Sequence, residues 1–195
     1  MVAVTDAHVG AALVPVWRGH VLLLACAMLY LAWWVTFFRP GAQVRGVGYA
    51  LGVACIVGAA ACGLIGAPLV AGSLGRIPGA EDVPLAGFLV GGALAYLALL
   101  AVTTLALERQ ATTELVLIVA WVALEACVVT CLAAAGVVGG GARAALYVLI
   151  ALLACASLVC YVLYYRLDPL PAFIDGTVPL VAAAIESAVM LAVAR

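Results

Sequence analysis

The chain has 195 residues, of which 69% are hydrophobic and only 9% charged, and its formal net charge is −1. A soluble domain carries about a quarter charged residues, so this composition excludes a water-exposed globular fold. The apolar runs are continuous and do not alternate with polar residues, which excludes a transmembrane β-barrel. The near-neutral charge gives no basis for nucleic-acid binding. We therefore predict an all-α, polytopic membrane protein in contact with the lipid bilayer.

Taken in order, the chain starts with a short polar lead, residues 1–19, and continues as six apolar runs. Each run approaches or exceeds the length needed to cross a hydrocarbon core of about 30 Å at about 1.5 Å per residue. The predicted helices are 21–38, 46–72, 85–107, 115–138, 144–165 and 177–194. Together they form one transmembrane domain, residues 1–195, with no soluble domain. Arginines divide evenly between the two predicted faces, so the orientation stays open.

Small residues recur at helical spacing in the second and third helices. Gly48 and Gly52 form a GxxxG pair that Gly58 extends, and Gly87 and Gly91 form a second pair. Such residues let helix backbones approach closely, which stabilises helix association in lipid. We expect these glycines to mediate helix packing, either inside the bundle or with a second copy or a partner membrane subunit. The sequence does not separate these alternatives.

Two acidic residues lie inside the predicted spans, Glu125 near the middle of the fourth and Glu186 in the sixth. An acid at mid-membrane costs about 2.5–3.5 kcal/mol on insertion scales, so such a residue rarely faces lipid. We predict that both acids are proton or cation sites on a transport pathway. Three neighbouring residues are candidate cavity-lining groups: Trp121, Thr130 and Ser187. The alternative is that each acid is a protonated, hydrogen-bonded packing group.

Several chemistries are excluded by missing residue types. The chain has no lysine, so it can form neither a lysine Schiff base nor a P-loop phosphate site. Its two histidines, His8 and His20, lie at the N-terminal edge of the first predicted span, which excludes a bis-histidine haem. All seven cysteines fall within predicted spans, where cysteine behaves as a small apolar residue. We predict no catalytic residues, no cofactor and no metal site.

These observations favour a channel or secondary carrier for a small solute or ion, placed in a bacterial-type inner membrane. The alternative is a structural, assembly or membrane-anchor subunit of a larger complex that does not itself transport anything. No motif in the sequence identifies a family. Access of water or solute to Glu125 and Glu186 distinguishes the two hypotheses, because only transport requires it.

Overall fold

A computed structural model describes residues 2–108 and 113–194, and over these ranges it contains helices and no strand. The helices are α1 (Val2–Phe38), α2 (Val47–Leu74), α3 (Leu85–Leu105), α4 (Thr113–Ala134), α5 (Gly140–Leu163) and α6 (Pro169–Val193). A single 3₁₀ turn, Tyr164–Arg166, follows α5. All six α-helices are long and apolar enough to cross a membrane. The predicted all-α class with six such helices is thereby confirmed.

Two helices begin many residues earlier than predicted from the sequence. The first predicted helix starts at residue 21, whereas α1 starts at Val2 and continues through Pro15. The sixth starts at Pro169 instead of residue 177, because Pro169 suits the first helical turn, where its missing N–H is not needed. His20 therefore lies near the middle of α1, and its prediction as an edge residue was wrong. The other helix ends differ from prediction by at most four residues.

Five of the helices close a ring. Contacts run from α1 to α6, then to α5, α4 and α2, and from α2 back to α1. Consecutive helices are antiparallel, and α3 packs mainly against α4, on the outside of the ring. We call the end of the bundle with Leu74, Ala134 and Val193 the terminal end. The opposite end, with Trp34 and Tyr164, is the aromatic end.

Helices α1 and α2 approach each other closely in the ring. The glycines predicted to mediate helix packing differ in how close a second helix lies to them. A methyl group on Gly52 would collide with Phe37, and one on Gly58 would lie 3.2 Å from Leu29. On Gly91 it would meet nothing within 4 Å. On Gly48 and Gly87 it would meet only the nearby chain segment, Val44 and Pro84. Within the described chain, Gly48, Gly87 and Gly91 therefore do not bring two helices together.

The main apolar core lies between the middle of the bundle and the terminal end. It joins the first half of α1 to the last turns of α2, the second half of α4, the first half of α5 and the end of α6. Its most deeply buried members are Val16, Val70, Ile77, Val128, Val129, Cys131, Leu132 and Met190, each 0% exposed. This apolar core separates the buried polar residues in the middle of the bundle from the terminal end.

Candidate functional site

Three titratable side chains from three helices are buried inside the ring, within electrostatic range of one another. They are His20 of α1, Glu125 of α4 and Glu186 of α6, and each is 0% exposed. Glu125 lies near the middle of its helix, about 13 Å from the Ala134 end at about 1.5 Å per residue. Burying one such group is costly, and burying three together requires that they compensate one another. We call these three residues the buried triad.

The His20 ring is held at both nitrogens. Its Nδ1 lies 2.8 Å from the Val16 carbonyl oxygen one turn earlier. Because a carbonyl oxygen only accepts, Nδ1 must carry a hydrogen and donate it. Its Nε2 lies 3.2 Å from Oε2 of Glu125. This second contact needs one proton, which resides either on the imidazole nitrogen or on the carboxyl oxygen.

Glu186 completes the triad without a hydrogen bond. Among the residues that the structure describes, neither Oε1 nor Oε2 of Glu186 has a hydrogen-bond partner, although both are buried. The side chain lies within electrostatic range of both Glu125 and His20. The proton shared by His20 and Glu125 leaves that pair with no net charge. Glu186 therefore decides whether the triad is neutral or carries one negative charge.

The predicted site residues Glu125 and Glu186 thus approach each other, although α4 and α6 are not neighbours in the ring. His20 of α1 is hydrogen-bonded to Glu125 and lies within electrostatic range of Glu186. His20 was not predicted as a site residue because the predicted start of the first helix lies too late in the chain. The continuation of apolar residues through Val9–Val16 is the signal that extends the helix and moves His20 to its interior.

The three candidate cavity-lining residues occupy different surroundings. Trp121 lies one turn before Glu125, and its buried Nε1 has no hydrogen-bond partner within the described chain. Oε1 of Glu125 is likewise unpaired there, so a donor and an acceptor on the same helix are both unsatisfied. Ser187 is buried next to Glu186. These two residues therefore border the triad on the α4 and α6 sides.

Thr130 belongs to a separate hydrogen-bonded pair. Its Oγ1 donates to the Ala126 carbonyl oxygen at 2.7 Å and lies 2.7 Å from the Tyr147 hydroxyl. Because the single Thr130 hydrogen is used within its own helix, the Tyr147 hydroxyl must donate. This pair joins α4 to α5 and is fully consistent with a packing role.

Two grooves open on the outer surface of the bundle, away from the triad. The first, about 350 Å³, lies between α3 and α4 and is lined by Pro84, Gly87, Phe88, Gly91, Gly92, Ala95, Val119, Val122, Ala123 and Ala126. The second, about 390 Å³, surrounds the turn after α1, near Arg39 and Pro40. Gly87 and Gly91, predicted to pack helices, instead line the first groove.

Metal binding was also considered, because a histidine and two carboxylates are a common ligand set. Where the structure describes side chains, no three His, Cys, Asp or Glu residues are placed to share one metal ion. Comparisons of this chain with protein-family models, with curated proteins and with solved structures give no match.

Proposed function

We propose that this protein is a multi-pass membrane carrier that moves protons, alone or coupled to a small solute or ion. The proposed location is a cell membrane of the bacterial inner-membrane type. One observation carries the proposal: a fully buried His20–Glu125 hydrogen bond of 3.2 Å lies beside a second fully buried acid, Glu186. Ionisable residues at membrane depth are costly and typically mark ion or proton pathways.

The triad has the chemistry to hold and release one proton. His20 and Glu125 keep a proton between Nε2 and Oε2, while Nδ1 stays committed to Val16. Glu186 takes up a proton as the triad becomes neutral and releases it as the triad becomes negative. A monovalent cation such as Na⁺ would neutralise the same charge, so it is the competing cargo. Because all three groups are buried, exchange requires a conformational change, which favours a carrier over an open channel.

A structural role is the second candidate, and the groove between α3 and α4 favours it. Its small side chains, including Gly91, Gly92 and Ala123, would admit another helix at close range. In that case the His20–Glu125 bond would simply stabilise the packed interior. This alternative makes no use of Glu186, whose two oxygens have no hydrogen-bond partner in the described chain.

Proton flux into liposomes separates the two functions. Purified protein is reconstituted around a pH-sensitive dye, and a potassium diffusion potential drives protons inward. We expect wild-type flux above that of empty liposomes, and flux at the empty-liposome level for Glu186→Gln and Glu125→Gln. The matched control is Glu81→Gln, because Glu81 is an exposed acid in the connection between α2 and α3.

Each result has a definite meaning. The transport proposal is contradicted if liposomes with wild-type protein show no more flux than empty liposomes under both proton and Na⁺ gradients. The structural role would then remain. Unchanged flux in both triad variants would remove the carboxylates from the mechanism. Loss of flux in Glu81→Gln as well would show that the assay reports protein quality and not the triad.

A further inference from the structure

The interior differs on the two sides of the buried triad. Towards the terminal end, large apolar side chains such as Leu132 and Met190 fill the ring and are 0% exposed. Towards the aromatic end, the buried residues of α1, α2 and α6 are small: Ala27, Gly52, Ala59 and Ala182. Because these residues fill less space than leucine or methionine, α1, α2 and α6 resist the entry of water less there than α4 and α5, which bury Leu115, Ile118 and Tyr161 at this end. An access route to the triad is therefore expected from the aromatic end.

The α1–α6 interface follows this route. At the aromatic end, Nε1 of Trp34 donates to the Phe173 carbonyl oxygen at 3.1 Å. A methyl group on Gly176 would collide with the same indole ring, so only glycine allows this approach. In the middle of the bundle the interface reaches His20 and Glu186, and beyond them it continues into the apolar core. Between these two points, the buried residues are Ala27 on α1 and Ala182 on α6.

Asp175 lies at the aromatic end of α6, next to Gly176 in the sequence. It precedes Glu186 by 11 residues, which returns a helix to nearly the same face about 16 Å along its axis. Its Oδ2 is buried and has no hydrogen-bond partner among the described residues. The Cys160 thiol of α5 and the Tyr164 hydroxyl lie within electrostatic range of its carboxyl group.

Pro179 lies on the same face between the two acids. Proline has no backbone N–H, so it leaves the carbonyl oxygen of Asp175, four residues earlier, without its helical donor. This oxygen is a second acceptor beside the Asp175 side chain. One face of α6 thus carries an acid at each end, Asp175 and Glu186. Between them lie a proline without a backbone N–H, Pro179, and a small residue, Ala182.

We propose that Asp175 is a relay carboxylate that transfers protons between the aromatic end and Glu186 along the face of α6 that carries both acids. This inference rests on the proposed proton-carrier function. Asp175 takes a proton from water at the aromatic end and becomes a neutral acid. When α1 and α6 separate at Ala27 and Ala182, a short chain of water molecules carries the proton to the Glu186 carboxylate. Asp175 is then ionised again, and Glu186 is neutral beside His20 and Glu125.

The liposome assay tests the relay with two variants, each compared with a matched control variant. Asp175→Asn keeps the shape of the side chain but removes the proton-carrying group, and Asp168→Asn is its control. Asp168 is exposed just before α6, and its side chain makes no capping hydrogen bond. Ala182→Leu fills the interface, and Ala188→Leu adds the same bulk at an exposed position of the same helix. Thermal unfolding in detergent checks that each variant is folded.

We expect Asp175→Asn to lower proton flux about 100-fold or to background, as for removal of a positioned proton-transfer group. Ala182→Leu should lower it similarly, while both controls keep wild-type flux. Wild-type flux in folded Asp175→Asn, together with loss of flux in Glu186→Gln, would overturn the relay and leave the carrier function intact. Absence of flux in the wild-type protein itself would instead overturn the proposed function. If Ala182→Leu fails to fold, the near-isosteric Asp175→Asn decides the question.

Discussion

Helices α3 and α4 are nearly equal in apolarity but occupy opposite positions in the bundle. The mean hydropathy of their most apolar 18-residue windows is 2.2 for α3 and 2.6 for α4. Half of that window is buried in α4, and none of it is buried in α3. The difference that matters is a single side chain, because α4 contains Glu125 in its middle and α3 is uncharged throughout.

The physical reason lies in the surroundings of an apolar helix. Lipid chains are as apolar as a leucine side chain, so hydropathy gives a helix no preference between lipid and the protein interior. A carboxyl group does have such a preference, since it needs polar partners that lipid does not supply. In this chain, hydropathy locates the helices, and buried ionisable side chains are found on α1, α4 and α6 but not on the outer helix α3.

The largest effect is expected from removing the partner of Glu125. His20→Leu leaves a fully buried carboxyl group without the hydrogen bond of 3.2 Å that it makes to Nε2. Loss of one partner of a buried ion pair costs about 3–5 kcal/mol, and an unsatisfied neutral group costs about 1–3 kcal/mol. The α3 counterpart, Thr103→Val, removes a hydroxyl that bonds only to carbonyl oxygens of its own helix. It should cost no more than about 0.6 kcal/mol, a typical intramembrane hydrogen bond.

Equilibrium unfolding in mixed detergent micelles measures both changes. The double variant His20→Leu/Glu125→Leu should be less destabilised than the sum of the two single variants, because no buried group is then left unpaired. Additive free energies in this cycle would show that the two side chains do not interact. Equal losses of unfolding free energy in His20→Leu and Thr103→Val would show that the polar contact of α4 is no more important for stability than that of α3.

A smaller loss of stability is expected from a substitution at the glycine of α3 that packs closely against α4. A methyl group on Gly92 would lie 3.2 Å from Cβ of Ala123, whereas one on Gly91 would meet nothing within 4 Å. Gly92→Leu should therefore destabilise the protein by about 1–3 kcal/mol through overpacking. Gly91→Leu is the matched control on the adjacent residue, and the same unfolding assay should find it close to wild type. A larger destabilisation by Gly91→Leu than by Gly92→Leu would show that α3 contacts α4 through the face that carries Gly91.

The sequence is sufficient to predict the number of helices and the two acids that face inward. Long apolar runs determine the helices, and the cost of a charge in lipid determines the inward position of Glu125 and Glu186. It is not sufficient to predict the partner of Glu125. His20 is 105 residues away in the chain, and only the packing of α1 against its neighbours brings the two side chains together.

Glycine patterns are a weaker guide for a related reason. Gly87–Gly91 and Gly48–Gly52 satisfy the same spacing rule, but only Gly52 lies against another helix in the described chain. The close contacts that the pattern does not indicate, at Gly66 against Leu22 and at Gly176 against Trp34, depend on which face of each helix turns inward. That rotation is set by the whole ring and cannot be read from one helix.

The most direct test of the central claim is whether Glu186 exchanges protons with water. Protein with carbon-13-labelled glutamate carboxyl groups is reconstituted in liposomes, and solid-state NMR spectra are recorded from acidic to alkaline pH. The missing signal in Glu186→Gln assigns this residue, and exposed Glu81 serves as the internal control. We predict that the Glu186 carboxyl shift changes with pH. A Glu186 signal that stays constant while that of Glu81 titrates would show a sealed, structural acid and contradict the account.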